Sequence, residues 1–204
     1  MKFFTSPSSP FGRKVKIAAH VLGLFDELVE FHINTLDPGS GICDVNPLGK
    51  IPAVEDNGAT LYDSRVIMEY LDSRAGGGQI IPEAGMDRYS CLTAAAKMDG
   101  IIDAALLMVY EDRFRPPKMR VNSFVDWQRD KIIRSLQSIN PAPYNGSTMP
   151  DVADIGLACA LDYLDFRKLL SWRDDAPALA NWQAGFASAV PGYAETMPMD
   201  SRNI

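Results

Sequence analysis

The chain reads as two domains of different class, an α/β domain with the element order β-α-β-α-β-β-α and then an all-helical bundle. Three observations carry this. Strand-like and helix-like apolar spacing take turns up to Arg74, and Asp56-Asn57-Gly58 marks a hairpin within that stretch. Ala75-Gly76-Gly77-Gly78 then has the composition of a helix stop and linker, and beyond it no strand pattern recurs.

Residues 2 to 5 are strand-like. Pro10 to Leu22 is a helix with apolar positions at Val15, Ile17, Ala18, Val21 and Leu22, stopped by Gly23. Glu27 to Ile33 alternates charged and apolar residues, as a half-buried strand does. A crossover through a helix makes those two strands parallel neighbours. Ala53 to Glu55 and Thr60 to Tyr62 flank Asn57-Gly58 and pair antiparallel. Ser64 to Arg74 closes this part as a helix capped by Asp63 or Ser64. A β-α-β unit followed by β-β-α is the thioredoxin-like arrangement, which names an architecture and not an activity.

Residues 1–77 are expected to form this first domain, 78–85 the linker and 86–204 the helical domain. Tyr89 to Arg113, Lys118 to Gln137, Val152 to Leu169 and Pro177 to Ser188 carry helical periodicity. Asp151 and Asp154 open the third of these with capping-box spacing, Asp standing in for Ser/Thr and for Glu.

At 204 residues and 47% hydrophobic content the chain has material for a full core. A formal charge of -6, with no basic block longer than Arg13-Lys14, lacks the electrostatic footprint of nucleic-acid binding. No apolar run is long enough to span a membrane and no leader pattern opens the chain, so a cytoplasmic protein with no membrane partner is expected. Cys43, Cys91 and Cys159 are odd in number and without metal-ligand spacing, which argues against disulfides and against a metal. His20 and His32 have no acid or Cys at a chemically useful spacing and read as structural.

The chemistry gathers in two stretches. Ser6-Pro7-Ser8-Ser9-Pro10-Phe11-Gly12-Arg13-Lys14-Val15 spans the exit from the first strand and the start of the first helix, where unpaired N–H groups and the helix dipole stabilise a thiolate. Dithiol redox enzymes place Cys-x-x-Cys at this turn. Here Ser9 and Gly12 stand at those positions, so any sulfur chemistry must use a thiol brought by a ligand. The second stretch is Asn46-Pro47-Leu48-Gly49-Lys50-Ile51-Pro52, followed by the hairpin and Tyr62-Asp63-Ser64. Pro52, between a loop and a strand, is a candidate cis residue, since the cis form costs only about 0.5 to 1 kcal/mol before proline. A cis bond there would turn the Ile51 main chain outward, toward an extended peptide ligand.

These stretches, with the Asp151-Val152-Ala153-Asp154-Ile155-Gly156-Leu157-Ala158 run of the helical half, resemble the glutathione transferase superfamily over nearly the whole chain. The family usually has Glu-Ser where this chain has Asp63-Ser64, one methylene shorter. The resemblance, closest to bacterial, serine-type, cytosolic members, implies a homodimer that activates glutathione as a thiolate for attack on a small hydrophobic electrophile, with glutathione as co-substrate. Isomerisation, dehalogenation or a non-catalytic binding role are the alternatives. It implies Ser9 as the catalytic hydroxyl, four residues before Arg13, with Ser8 or Ser6 as substitutes; on its own context Ser9 is equally an N-cap before Pro10. It further implies Lys50 for the glycyl carboxylate, Ile51 for the cysteinyl main chain, Ser64 for the γ-glutamyl carboxylate and Asp63 for the ammonium. Asp99, ahead of Asp103, matches an acid that reaches the ligand of a second subunit, although a solvated face or an interdomain contact would also explain it. Tyr110, Arg113 and Phe114 are candidates for the second-substrate pocket, and Cys43 lies in a loop close to the ligand.

Overall fold

The computed structural model describes residues 1–200; positions 201–204, at the end of the expected helical domain, lie outside the described residues. The first part runs β1 (Lys2–Thr5), α1 (Pro10–Val21), β2 (Val29–His32), α2 (Ile42–Val45), β3 (Ala53–Asp56), β4 (Ala59–Leu61) and α3 (Ser64–Arg74). Its sheet has the order β2-β1-β3-β4. β1 runs parallel to β2 and antiparallel to β3, so Phe3 lies opposite both Glu30 and Val54. β3 and β4 form the antiparallel hairpin, Val54 opposite Leu61. This is the thioredoxin-like arrangement expected from the sequence, with β1 as the central strand that joins the two halves.

The second part is helical, with α4 (Gly85–Phe114), α5 (Asn122–Gln137), α6 (Val152–Arg167), α7 (Trp172–Asp175) and α8 (Pro177–Ala189). Several boundaries differ from the sequence expectation for local reasons. β2 begins at Val29 because Phe25–Glu27 forms a 3-10 turn. α5 begins at Asn122 and not near Lys118, since Pro116 and Pro117 hold the chain extended and then in a 3-10 turn over Pro117–Met119. α6 ends at Arg167, where Lys168 turns left-handed at φ 52°. α7 was not anticipated; the Trp172 indole N–H, which donates to Asp165 Oδ1 at 2.8 Å, ties that turn to α6.

Apolar side chains from both parts belong to one continuous cluster, from Phe3, Val15, Ile17 and Val54 to Met98, Ile102, Ile155 and Leu161. α4 and α6 approach closely at Gly156, where a Cβ would stand 2.9 Å from that of Met98. α1 packs against α3 on one side and α6 on the other. Its apolar positions follow the expected stripe, but Arg13 and Lys14 beside them are buried as well, at 3% and 1% exposure. Each has an acid from the helical part. Arg13 pairs with Asp162 of α6, and Lys14 with Asp99 of α4. Arg13 also donates to the Tyr193 carbonyl at 3.1 Å, while Asp162 accepts from Gln183 Nε2 at 2.6 Å and from the Tyr193 hydroxyl at 3.0 Å. The desolvation cost of the Arg13–Asp162 pair is thus met by several bonds and not by one contact.

Asp151 caps α6, its Oδ1 accepting from the Ala153 and Asp154 N–H groups at 2.8 and 2.9 Å. Asp154 is half-buried one turn in. Burial first, and the neighbouring Asp151 second, push its carboxyl up to about 6.

Removing one member of a buried ion pair strands the other, so Asp162→Ala should lower unfolding free energy by roughly 3 to 5 kcal/mol in denaturant melts. Asp126→Ala, at an exposed pair with Arg129, should cost less than about 1 kcal/mol. Equal losses would show that the Arg13 network is not a strong constraint. For Asp154 the sign follows from its raised folded pKa: the folded state holds the proton more tightly than the unfolded chain. Stability is therefore lost as pH rises from about 4 through about 6. Stability of Asp154→Asn relative to the parent should improve across that interval, and a constant difference would contradict this.

Candidate functional site

The two chemical stretches of the sequence meet along one face. The Asn46–Pro52 loop is built around Asn46, which is 2% exposed. Its Nδ2 donates to the Lys50 carbonyl at 2.9 Å, and its Oδ1 accepts from the Leu48 N–H at 3.0 Å. Gly49 completes the turn at φ 62°. The Ile51-Pro52 peptide is cis, as anticipated. Beyond the hairpin, Asp63 caps α3 by accepting from the Arg65 N–H at 2.9 Å, and Ser64 is the first helical residue, buried to 3%.

Lys50, Ile51, Asp63, Ser64 and Asp99 line a single cavity of about 130 Å³. Its charges are mixed. Arg65 donates to both Asp63 oxygens, to Oδ2 at 2.7 Å, and its hydrogen bond is the main cause that draws the Asp63 carboxyl down to about 2. Asp99 is sealed against Lys14 of its own chain, its Oδ2 has no hydrogen-bond partner, and Arg65 Nε lies 3.8 Å from that oxygen. Asp103, one turn further along α4, is the exposed acid of this wall. Burial and Asp99 hold its carboxyl above the ordinary range. A cavity with Lys50 and Arg65 beside Asp63 and Asp103 suits a zwitterion that carries both signs.

A second cavity, of about 590 Å³, adjoins the first and shares Ile51 with it. Ser6, Pro7 and Ser8 line it on one side and Arg113 and Arg167 on another. Most of its lining is polar or charged. Of the three residues anticipated there Arg113 lines it, whereas Tyr110 and Phe114 pack on each other edge to face at 5.3 Å. Ser9 lines neither cavity, although its chain neighbours do, Ser8 the larger and Phe11 the smaller. Its Oγ accepts the Gly12 N–H at 3.0 Å, as an N-cap for α1. A hydroxyl has two lone pairs and one O–H, so the cap leaves the proton free to point at a ligand.

None of the three cysteines lines either cavity. Burial pushes the Cys91 and Cys159 thiols up to about 11 and about 12, and Cys43 is exposed. Among the described residues no cluster of three His, Cys, Asp or Glu could hold a metal ion, and no helix is long and apolar enough to cross a membrane. Arg65 and the Lys14–Asp99 pair were missed in the sequence; the adjacency of Arg65 to a capping Asp was the one signal for it.

Comparison with known proteins agrees with this layout. The family model "Glutathione S-transferase, N-terminal domain" matches residues 3–79 and "Glutathione S-transferase, C-terminal domain" matches residues 101–183. An uncharacterised GST-like protein of Escherichia coli K12, YibF, is 33% identical, the match covering 97% of this chain and 98% of that one. A glutathione transferase family member from Pseudomonas fluorescens Pf-5, solved with bound glutathione, is 40% identical over 98% of this chain and 99% of its own, with a TM-score of 0.89. A further structure of a family member from that organism, 41% identical with a TM-score of 0.86, covers 98% of this chain and all of its own and holds S-(propanoic acid)-glutathione. The chain belongs to the glutathione transferase superfamily.

One position tests how tightly the start of α1 is built. A Cβ on Gly12 would lie 2.1 Å from the buried Thr5 Oγ1. Gly12→Ala should therefore destabilise the protein by roughly 1 to 3 kcal/mol. A melt unchanged from the parent would mean that the strand-to-helix turn has slack.

Proposed function

We propose that the chain is a glutathione transferase: it binds glutathione in the smaller cavity, stabilises the thiolate at Ser9, and directs it at a small electrophile in the larger one. The observation that carries the reading is the gathering of Lys50, Ile51, Asp63 and Ser64 around one cavity, with Ser9 capping α1 in the segment whose Phe11 lines the same cavity. A sulfur there meets an O–H donor and the positive end of a helix, and both favour the thiolate.

The smaller cavity offers a counterpart for each part of the tripeptide. Ser64, at the start of α3, supplies its hydroxyl and N–H to the γ-glutamyl carboxylate. The Ile51 main chain pairs with the cysteinyl unit in strand fashion, and Lys50 reaches the glycyl carboxylate. Asp63 meets the ammonium on its own chain. Of the two α4 acids Asp103 is exposed and Asp99 is not, so a contact from the partner subunit falls to Asp103. The homodimer this implies is supported by Leu48 and Tyr62, which line the cavity yet are 67% and 38% exposed, apolar surface that a second copy would cover. The reading assigns the protein to the cytoplasm, where glutathione is abundant, and to the detoxification of electrophiles. The Pseudomonas fluorescens relatives support it, since one holds glutathione and the other an S-substituted glutathione, the product class of such a reaction.

A free thiol has a pKa of about 8.5, and a hydroxyl donor with a helix terminus can lower it by roughly one to two pH units. Ser9→Ala should shift the titration of the bound thiolate, followed by ultraviolet absorbance, upward by about that amount. The pH dependence of kcat/KM with a model electrophile should move alongside it. A profile identical to the parent's would remove Ser9 from the mechanism.

A further inference from the structure

The larger cavity holds two guanidiniums, Arg113 and Arg167, against one acid, Asp200. Neither arginine is seen, among the described residues, in an ion pair such as those of Arg13 and Arg173. Among the described residues every other arginine except Arg134 forms an ion pair. These two rest instead on aromatic faces. Arg167 Cζ lies 4.6 Å from the Phe166 ring centroid and 5.5 Å from that of Tyr163, and Arg113 Cζ lies 5.6 Å from the Tyr110 centroid. Both cations also oppose the rise that burial causes in the Tyr163 phenol.

Stacking satisfies the charge of a guanidinium but gives its N–H groups no acceptor in the plane. The buried Arg167 Nε has no hydrogen-bond partner. A buried donor without an acceptor is a cost, and a carboxylate that meets the planar fork of the same guanidinium gives its N–H groups an acceptor. Beside the two arginines Ser6, Ser8, Asn34 and Thr35 are polar and uncharged, and Asp200 is the one acid of the lining.

We propose that the second substrate is an electrophile that carries a carboxylate, held by Arg167 and Arg113 while its reactive carbon faces the thiolate at Ser9. This rests on the glutathione transferase reading above and names the substrate class for that site. In a substitution, the sulfur supplies the electron pair of the new C–S bond and the leaving group departs with the pair of the bond that breaks. The carboxylate stays intact and serves to bind. A neutral electrophile of the same shape leaves the donors unfilled and is disfavoured for that reason.

The test compares S-carboxyalkyl glutathiones of increasing chain length, each with its neutral carboxamide, by calorimetry on the full chain, with glutathione itself titrated alongside. The parent protein should prefer the acid over the amide by about tenfold or more at one of the chain lengths, and less as salt is raised. In a double variant, Arg113→Gln with Arg167→Gln, the ratio should fall to about one, while Arg167→Lys alone, which keeps the charge and loses the fork, should retain part of it. The ratio is indifferent to any general loss of folded protein, because both ligands share it. Equal binding of acid and amide while glutathione still binds, or a preference that survives the double substitution, overturns this inference alone. Failure of glutathione itself to bind overturns the transferase reading and this one together.

Discussion

Two adjacent cations on α1, Arg13 and Lys14, leave the thioredoxin-like part of the chain and end in the helical part, on Asp162 and Asp99. Both pairs are almost wholly out of water, where partners cannot exchange freely with solvent and misalignment is costly. They fix the rotation of α1 about its axis and its position along α4 and α6. The N-terminus of α1 carries Ser9, so the same pairs determine where that hydroxyl stands. Site geometry and domain packing are here one constraint, held by charges that a purely apolar interface could not orient in this way.

The division of labour between the cavities follows from that placement. On one side, a cis peptide, a braced asparagine loop and a capped helix present main-chain and side-chain groups of both charge signs. On the other, the ends of α4 and α6 bring two guanidiniums to a wall that holds one acid, Asp200. The first cavity is built mostly from backbone geometry, which sequence motifs record well. The second comes from two distant helices and depends on which face each turns inward.

That contrast explains what was legible in the sequence. The Asn57-Gly58 hairpin, the crossover helix and the triple glycine announced the element order, because each rests on local rules. The loop through Lys50, Ile51 and Pro52 and the Asp63-Ser64 cap were legible for the same reason, and the structure brings Lys50, Ile51, Asp63 and Ser64 to one cavity. Arg13 and Lys14 were read as part of a motif, with no hint that they are buried, since their partners lie 149 and 85 residues away. Asp99 was chosen over Asp103 by position in a pattern, and only packing shows that Lys14 already occupies it. Of the two arginines in the larger cavity only Arg113 was anticipated: periodicity on α4 and α6 marks their core faces and is silent about residues at their ends.

The most direct measurement is a crystal structure of the protein grown with glutathione. Its sulfur should lie within hydrogen-bonding distance of Ser9 Oγ at the start of α1, with the γ-glutamyl carboxylate on Ser64. A tripeptide bound with its sulfur turned away from that hydroxyl, or no tripeptide in the smaller cavity at saturating concentration, would contradict the assignment.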